Sequence, residues 1–404
     1  MLLVLGAPVA SAAQARHDQH ITALSAQTLQ TASPALLVDP VRQRRARAVA
    51  DYAEVTFAIW AVAPIAAFLW LWRSGNAARL RDTLRRRFRA RWAYRATFGA
   101  SLGAIATAAA LPFAFAGYRV AYNVGLTAQP IPAWFFDELV RLSIVALAAA
   151  AIVALVLELV DRTRLWYLAF TAFLYVATLT LVAVEPVLFT PLASTHRPAP
   201  AAIVAQGDRV AAMLGVDAVP LDITGTSARS NALSTRSSGL GPFSRILLGD
   251  TTVARLTPGE RTFLLARQYA HLREHDVLIL TLAGISLFVL AAALAVLASD
   301  RIGFRRDDDA LSRLALVGTC LGITVLALYP AFNAIERGIE ARADRLALAA
   351  THEPAEGVRL FVRRADDDLI PLCGRRTTRW YFDTRPPLGS RIAALRGTTD
   401  PCPR

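Results

Sequence analysis

The sequence predicts a mainly α-helical, polytopic membrane protein of about six spans. A smaller soluble domain is inserted between spans four and five and completed by the C-terminal segment. Three observations carry this fold class. Hydrophobic residues make up 55% of the 404 and charged residues only 19%, whereas soluble domains carry about 25% charged residues and rarely a positive mean hydropathy. Several apolar runs are long enough to cross a bilayer. Two stretches of ordinary soluble composition interrupt or follow them. Intrinsic disorder and an ordinary cytosolic enzyme are thereby excluded, and three Cys in the whole chain exclude a disulfide scaffold.

The first fifteen residues, MLLVLGAPVASAAQA, read as a candidate signal peptide over 1–15, with Ala10-Ser11-Ala12 as the small-residue cleavage site. No basic residue precedes the apolar run, so a disordered or weakly anchored N-terminus is the standing alternative. Six runs then approach the roughly 20 helical residues that a ~30 Å hydrocarbon core requires: Val55–Trp72, Ala96–Gly117, Leu142–Val160, Leu165–Val184, Val277–Ala298 and Leu314–Ala331. Polar residues do not recur in them every third or fourth position, as they would in an amphipathic core helix. Trp60, Trp70, Trp72, Trp166 and Tyr167 lie in or near them, several where an interfacial belt would form. The expected organisation is a membrane domain over 52–184, a soluble domain over 185–276, two further spans over 277–331, and a soluble completion over 332–404.

The net charge is +13, all of its positive part arginine. Nucleic acid, anionic lipid and membrane topology can each produce such an excess. The basic loop 73–95, between the first two spans, holds nine arginines and one acid, Asp82, so it alone carries +8. Pinned between two spans, it offers no folded element to read bases, and no nucleic-acid partner is expected. The bilayer is the expected partner, with Ala77–Trp92 lying against anionic headgroups as a compatible secondary role. Short Arg-dense loops are retained in the cytoplasm. Counting spans from that loop predicts a multi-pass cell-membrane protein with both soluble portions on the extracytoplasmic side. Cys373 and Cys402 would there be free to pair, although two unpaired thiols are the plainer expectation.

Two segments concentrate chemistry. Leu264–Asp276 (LLARQYAHLREHD) is a helix-compatible run before the fifth span, and Asn333–Leu348 (NAIERGIEARADRLAL) follows the sixth. In this order around membrane spans they resemble the type I CAAX prenyl endopeptidases and their HtpX-like relatives, which are integral-membrane zinc metallopeptidases. That family carries His-Glu-x-x-His on one helix and, much later, Asn-Ala-x-Ser-Arg-x-x-Glu-x-x-Ala-Asp on another. Asn333, Ala334, Arg337, Glu340, Ala343 and Asp344 match the second motif, with Glu336 in place of Ser. Tyr122–Gln129, Ser227–Asp250 and Phe382–Leu395 resemble further family segments, so the likeness runs from about Tyr52 to Leu395. It implies a zincin-like α+β soluble domain, with Asp344, Asn333 and Arg337 supporting the site.

The first motif is not kept. Arg267-Gln268-Tyr269-Ala270-His271 stands where the family has His-Glu-x-x-His. Two His four residues apart share one helix face and one tetrahedral Zn²⁺; the distant Glu completes the set, and the Glu beside the first His takes a proton from bound water. Arg267 cannot bind a metal, because its guanidinium does not deprotonate. Gln268, at the general-base position, cannot accept the proton. His271 and Glu340 remain as vestigial ligands. A shifted pair, His271 with His275, has the right spacing but lacks Glu after its first His.

Three functional readings are open at this point. The first is a non-catalytic pseudopeptidase that binds peptides or membrane-protein clients and needs no cofactor. In that reading Arg267 bridges Glu340 and Asp344 in place of zinc, the competing view being that Arg267 points to solvent. The second is a working zinc endopeptidase using His271, His275 and Glu340. The third is a purely structural membrane-interaction protein. In such peptidases a substrate adds as a strand beside the metal helix, and Asn231, Ala232 and Leu233 are the expected peptide-binding strand. The family's eukaryotic members are expected to act on the cytosolic side, opposite to the span count.

Overall fold

The computed structural model describes residues 19–302 and 309–402; the candidate signal peptide over 1–15 lies outside the described residues. Among the described residues six helices are long and apolar enough to cross a membrane. They are α1 (Pro40–Arg73), α3 (Arg91–Asn123), α4 (Ile131–Arg162), α5 (Trp166–Leu188), α8 (Asp276–Ile302) and α9 (Leu314–Thr351). The basic loop forms a separate short helix, α2 (Asn76–Arg87). This is a polytopic helical membrane protein with a small sheet in a soluble domain, as the composition requires.

The ends of these helices divide cleanly between two faces. On one face Arg81 and Arg85 pair with Asp309, at 3.3 and 2.5 Å, joining the first connection to the turn before α9. Arg95 pairs with Asp161 at 2.6 Å on the same face, fastening α3 to α4. On the opposite face the turn between α3 and α4 docks onto the soluble domain. There Leu126 accepts from the Asn231 amide at 2.8 Å, and Asp137 holds Arg229 at 2.7 Å.

Helix α9 has 38 residues, about 57 Å at 1.5 Å per residue, against a hydrocarbon core of about 30 Å. Its Leu314–Ala331 half is apolar, and Asn333–Thr351 must stand clear of the membrane. The expected boundary at 331/332 is therefore no structural break: the sixth span and the motif helix are one rod, and a motif on the protruding half is rigidly referred to the bilayer. Helix α1 behaves likewise. Its Arg-rich first turns reach into the soluble domain, where Gln43 donates to the Ala365 and Ile370 carbonyls.

The soluble domain is built on a four-stranded sheet in the order β1-β2-β4-β3, with β1 His196–Pro198, β2 Leu221–Thr224, β3 Thr235–Ser238 and β4 Arg245–Gly249. β2 and β4 are parallel, and the outer pairings are antiparallel. Four helices complete it: α6 (Ala201–Leu214), α7 (Pro258–Arg273), α10 (Pro354–Asp367) and α11 (Leu388–Arg396). One core joins the sheet, α6, α7, α10 and α11 with Ile21, Leu29, Leu37 and Val38. The stretch from Ile21 to Val38 is thus part of the soluble domain, a role its short apolar spacing does not announce.

Cys373 and Cys402 form a disulfide with Cα atoms 5.3 Å apart, and Cys320 is buried and free. The expectation of two unpaired thiols is corrected: both sulfurs lie against Gly389 at the start of α11, a proximity that a sequence separation of 29 conceals. Thiol alkylation of the denatured, unreduced protein is expected to label one cysteine per chain, and three after reduction. Three labels without reduction would show the pair unformed.

Candidate functional site

Helix α7 starts where its sequence prescribes. Thr257 accepts from the Glu260 amide at 3.2 Å and Glu260 accepts from the Thr257 amide at 2.8 Å, a reciprocal capping box with Pro258 in the first turn. The other Glu260 oxygen accepts from Arg363 Nε at 2.8 Å in full burial, locking α7 to α10. From Phe263 to Ala270 every residue of α7 is buried. A side chain on this helix therefore has to find its partners inside the protein.

Arg267 does so. It is 2% exposed, and the reading in which it points to solvent is excluded. Its Nε donates to Asp344 Oδ1 at 2.6 Å and its Nη2 to Glu340 Oε2. Glu340 and Asp344 are four residues apart and share one face of α9, so one planar guanidinium can span both. Arg391 of α11 approaches from the other side, donating to the two Asp344 oxygens at 2.7 and 2.8 Å, and stacks 4.2 Å over the Phe361 ring. Arg385 reaches Glu340 Oε1 at 3.3 Å. Burial works against the Arg267 charge, but Asp344 and Glu340 outweigh it and hold its pKa above that of a free guanidinium.

The remaining motif residues are tied down elsewhere. His271 lies one turn beyond Arg267, its Nδ1 2.9 Å from Asp276 Oδ2, and Asp276 is also held by Arg342. His275 does not join it. α7 ends at Arg273, and His275 occupies the turn into α8 with a left-handed φ of 55°, so the four-residue spacing there does not describe one helix face. Gln268 accepts from Ser237 Oγ at 3.0 Å, which fastens β3 to α7. Asn333 Nδ2 and Arg337 Nη1 donate to the carbonyls of Tyr381 and Asp383, each at 2.5 Å, clamping the C-terminal segment against α9.

This donor set does not fit zinc. Of the three expected ligand positions one holds a cation and one a carboxylate facing three arginines, so that His271, its Nδ1 oriented by Asp276, is left as a single ligand. Among the described residues no group of three or more His, Cys, Asp or Glu could hold a metal ion.

The strand beside the site is shifted from expectation. Asn231, Ala232 and Leu233 form the approach loop, not the strand. Asn231 is consumed by Leu126 and Gly125, and the Leu233 amide by Asp368 at 2.9 Å. The edge strand is β3, which begins two residues beyond Leu233. Gly249 donates to the Ser234 carbonyl at 2.8 Å. In this antiparallel register Ser234, Arg236 and Ser238 bond to β4, whereas the amides and carbonyls of Thr235 and Ser237 point away from the sheet. β3 lines a cleft of about 320 Å³ together with Arg267, Gln268, Glu340, Arg364 and Arg385. Burial pushes the Arg364 pKa down to about 10; Asp368 opposes this, and Arg385, Arg391 and Arg267 add to it.

Reading the sequence did not single out Arg391, Arg385, Arg364 or Asp276. The first two stand in Phe382–Leu395, a segment notable in the sequence only for its likeness to the family. Their charge was the available signal, since two buried acids on α9 need more than one cation.

Residues 200–399 match the model of peptidase family M48, and residues 29–195 match that of the CAAX prenyl protease N-terminal domain, described as five membrane helices. Four of the candidate spans fall within the latter range. The "Uncharacterized metalloprotease YhfN" of Bacillus subtilis (strain 168) is 24% identical over 273 residues, 64% of this chain and 63% of that protein. The chain thus spans less than two thirds of that relative's length. Ste24p of S. mikatae, in its crystal structure, superposes with a TM-score of 0.72 at 19% identity, covering 95% of this chain and 96% of that one. At that identity the likeness is one of fold.

Replacing Arg267 by Met removes the one cation that bridges Glu340 and Asp344 and leaves Glu340 with only the longer contacts to Arg385 and Arg391. It is expected to destabilise the soluble domain by about 3–5 kcal/mol, read as a lowered unfolding midpoint in detergent, with partial recovery in Arg267→Met/Glu340→Gln. An unchanged midpoint in the single variant would show that the bridge is not structural.

Proposed function

This chain belongs to the CAAX prenyl endopeptidase-like family of integral-membrane metallopeptidases, and from that membership we propose that it is a non-catalytic member, a pseudopeptidase that binds polypeptides at the membrane surface. The observation that carries the proposal is the placement of Arg267 between Glu340 and Asp344. A guanidinium can neutralise these carboxylates as a metal would. It has no open coordination position and cannot lower the pKa of a water. With Gln268 at the base position, no residue there takes the water's proton. What remains is the open edge of β3 along the cleft, the feature through which an extended chain is bound by main-chain hydrogen bonds.

The proposal extends to orientation, with the soluble domain outside the cytoplasm. Two features support it. The Arg-dense connection and the α8–α9 turn share one face, and the soluble domain lies on the other, so the positive-inside rule assigns them to opposite compartments. The Cys373–Cys402 disulfide belongs to an oxidising environment.

Metal analysis of the purified full-length protein is expected to find no tightly held zinc, and no chelator-sensitive cleavage of a casein-type substrate. The double variant Arg267→His/Gln268→Glu is expected to gain zinc. One tightly bound zinc per wild-type chain, or cleavage abolished by His271→Ala, would overturn the proposal. A separate measurement addresses orientation. A reporter fused after Arg404 that is active only outside the cytoplasm is expected to give signal, and signal from a cytoplasm-only reporter would reverse the assignment.

A further inference from the structure

The cleft beside β3 carries an excess of positive charge that the ion pairs do not consume. Of the cations that line it, Arg267 gives its Nε to Asp344 and its Nη2 to Glu340 in a buried bridge. Arg364 uses its Nε for Asp368, at 3.2 Å, and Arg385 uses its Nε for Glu340, at 3.3 Å. The recorded bonds of both leave the paired terminal nitrogens, the fork that matches a carboxylate bidentately, open to a ligand. Arg385 is 46% exposed, whereas Arg364 is largely buried. Within the cleft Glu340 is held by Arg267 and Arg385, and Asp276 by His271 and Arg342, while Asp51, Glu54 and Asp383 lie in the neighbouring cavity against α1.

Arg364 and Arg385 also line a second cavity, of about 480 Å³, formed against the protruding turns of α1. They therefore border both cavities. A chain lying on β3 through the main-chain groups of Thr235 and Ser237 would share the cleft with this pair.

We propose that the cleft selects extended peptides bearing a carboxylate, which Arg364 and Arg385 receive. This rests on the peptide-binding reading above and adds to it a ligand class, acidic rather than neutral or basic. The carboxylate belongs either to an Asp or Glu side chain or to the peptide's own C-terminus; the chemistry at the two guanidinium groups is the same.

The test uses full-length protein in nanodiscs and fluorescent peptides of equal length. One set carries Glu and its isosteric Gln counterpart, each with a free or an amidated C-terminus. Peptides with a carboxylate are expected to bind about tenfold more tightly than the amidated Gln peptide, with the preference shrinking as salt is raised. Arg385→Gln and Arg364→Gln are each expected to reduce the preference to about threefold or less. Loss on amidation alone assigns the carboxylate to the chain end, and loss on Glu→Gln assigns it to a side chain. Should Arg364→Gln fail to fold, the half-exposed Arg385 carries the test. Equal binding of all peptides, or a preference surviving Arg385→Gln, would overturn the selectivity while leaving peptide binding intact. No binding by any peptide would overturn both.

Discussion

The protein depends on two carboxylates that cannot be left alone. Glu340 and Asp344 project from one face of α9 into a largely buried site, and ionised groups of this kind cost several kcal/mol each unless paired. Their partners come from three separate elements: Arg267 from α7, Arg391 from α11, and Arg385 from the segment before α11. Because guanidinium–carboxylate pairing is planar and directional, each contact fixes an orientation as well as a distance. The cluster thereby sets how α7, α9 and the C-terminal segment sit together, and everything built on α7 inherits that setting. β3 is included through the Ser237–Gln268 hydrogen bond.

The same cluster is referred to the bilayer by continuity of the backbone. α9 runs unbroken from Leu314 to Thr351, and α7 passes into the fifth span within three residues. Neither helix can shift relative to the membrane without dragging the ion cluster. Asn333 and Arg337 add a clamp just above the apolar half of α9, holding the Tyr381–Asp383 backbone. Under the proposed function, an edge fixed at a set height above the headgroups suits polypeptides that are themselves at the membrane surface.

Much of the fold was legible in the sequence because it follows from local composition. Apolar runs give spans, Arg density gives a face, and soluble composition between the runs gives an inserted domain. At the site, Arg267, Glu340 and Asp344 were legible because each sits at a fixed spacing within a recognisable helix. Contacts between distant segments were not. Arg391 and Asp344 are 47 residues apart, and nothing in Phe382–Leu395 says which acid its arginines meet. β3 escaped because Thr-Arg-Ser-Ser is weak strand material; its register is imposed by β4, whose Ile246, Leu247 and Leu248 are buried. His271 and His275 misled in the opposite way. Their spacing is helical, but the helix ends between them.

The consequence for chemistry lies in what a guanidinium can and cannot replace. A zinc ion in such a site does three things: it balances buried acids, fixes the helices that supply its ligands, and activates a bound water. Arg267 takes over the first two, since both need only charge and directional bonding. The third requires an exchangeable coordination position, which a saturated cation of high pKa lacks. Balancing by arginine also has a side effect that a single ion would not have. Charge arrives on long side chains from several segments, so two acids are met by three cations, and the half-exposed Arg385 among them faces whatever lies along β3. Loss of the metal and an altered preference for ligand charge are, on this view, two results of one substitution in how the buried acids are held.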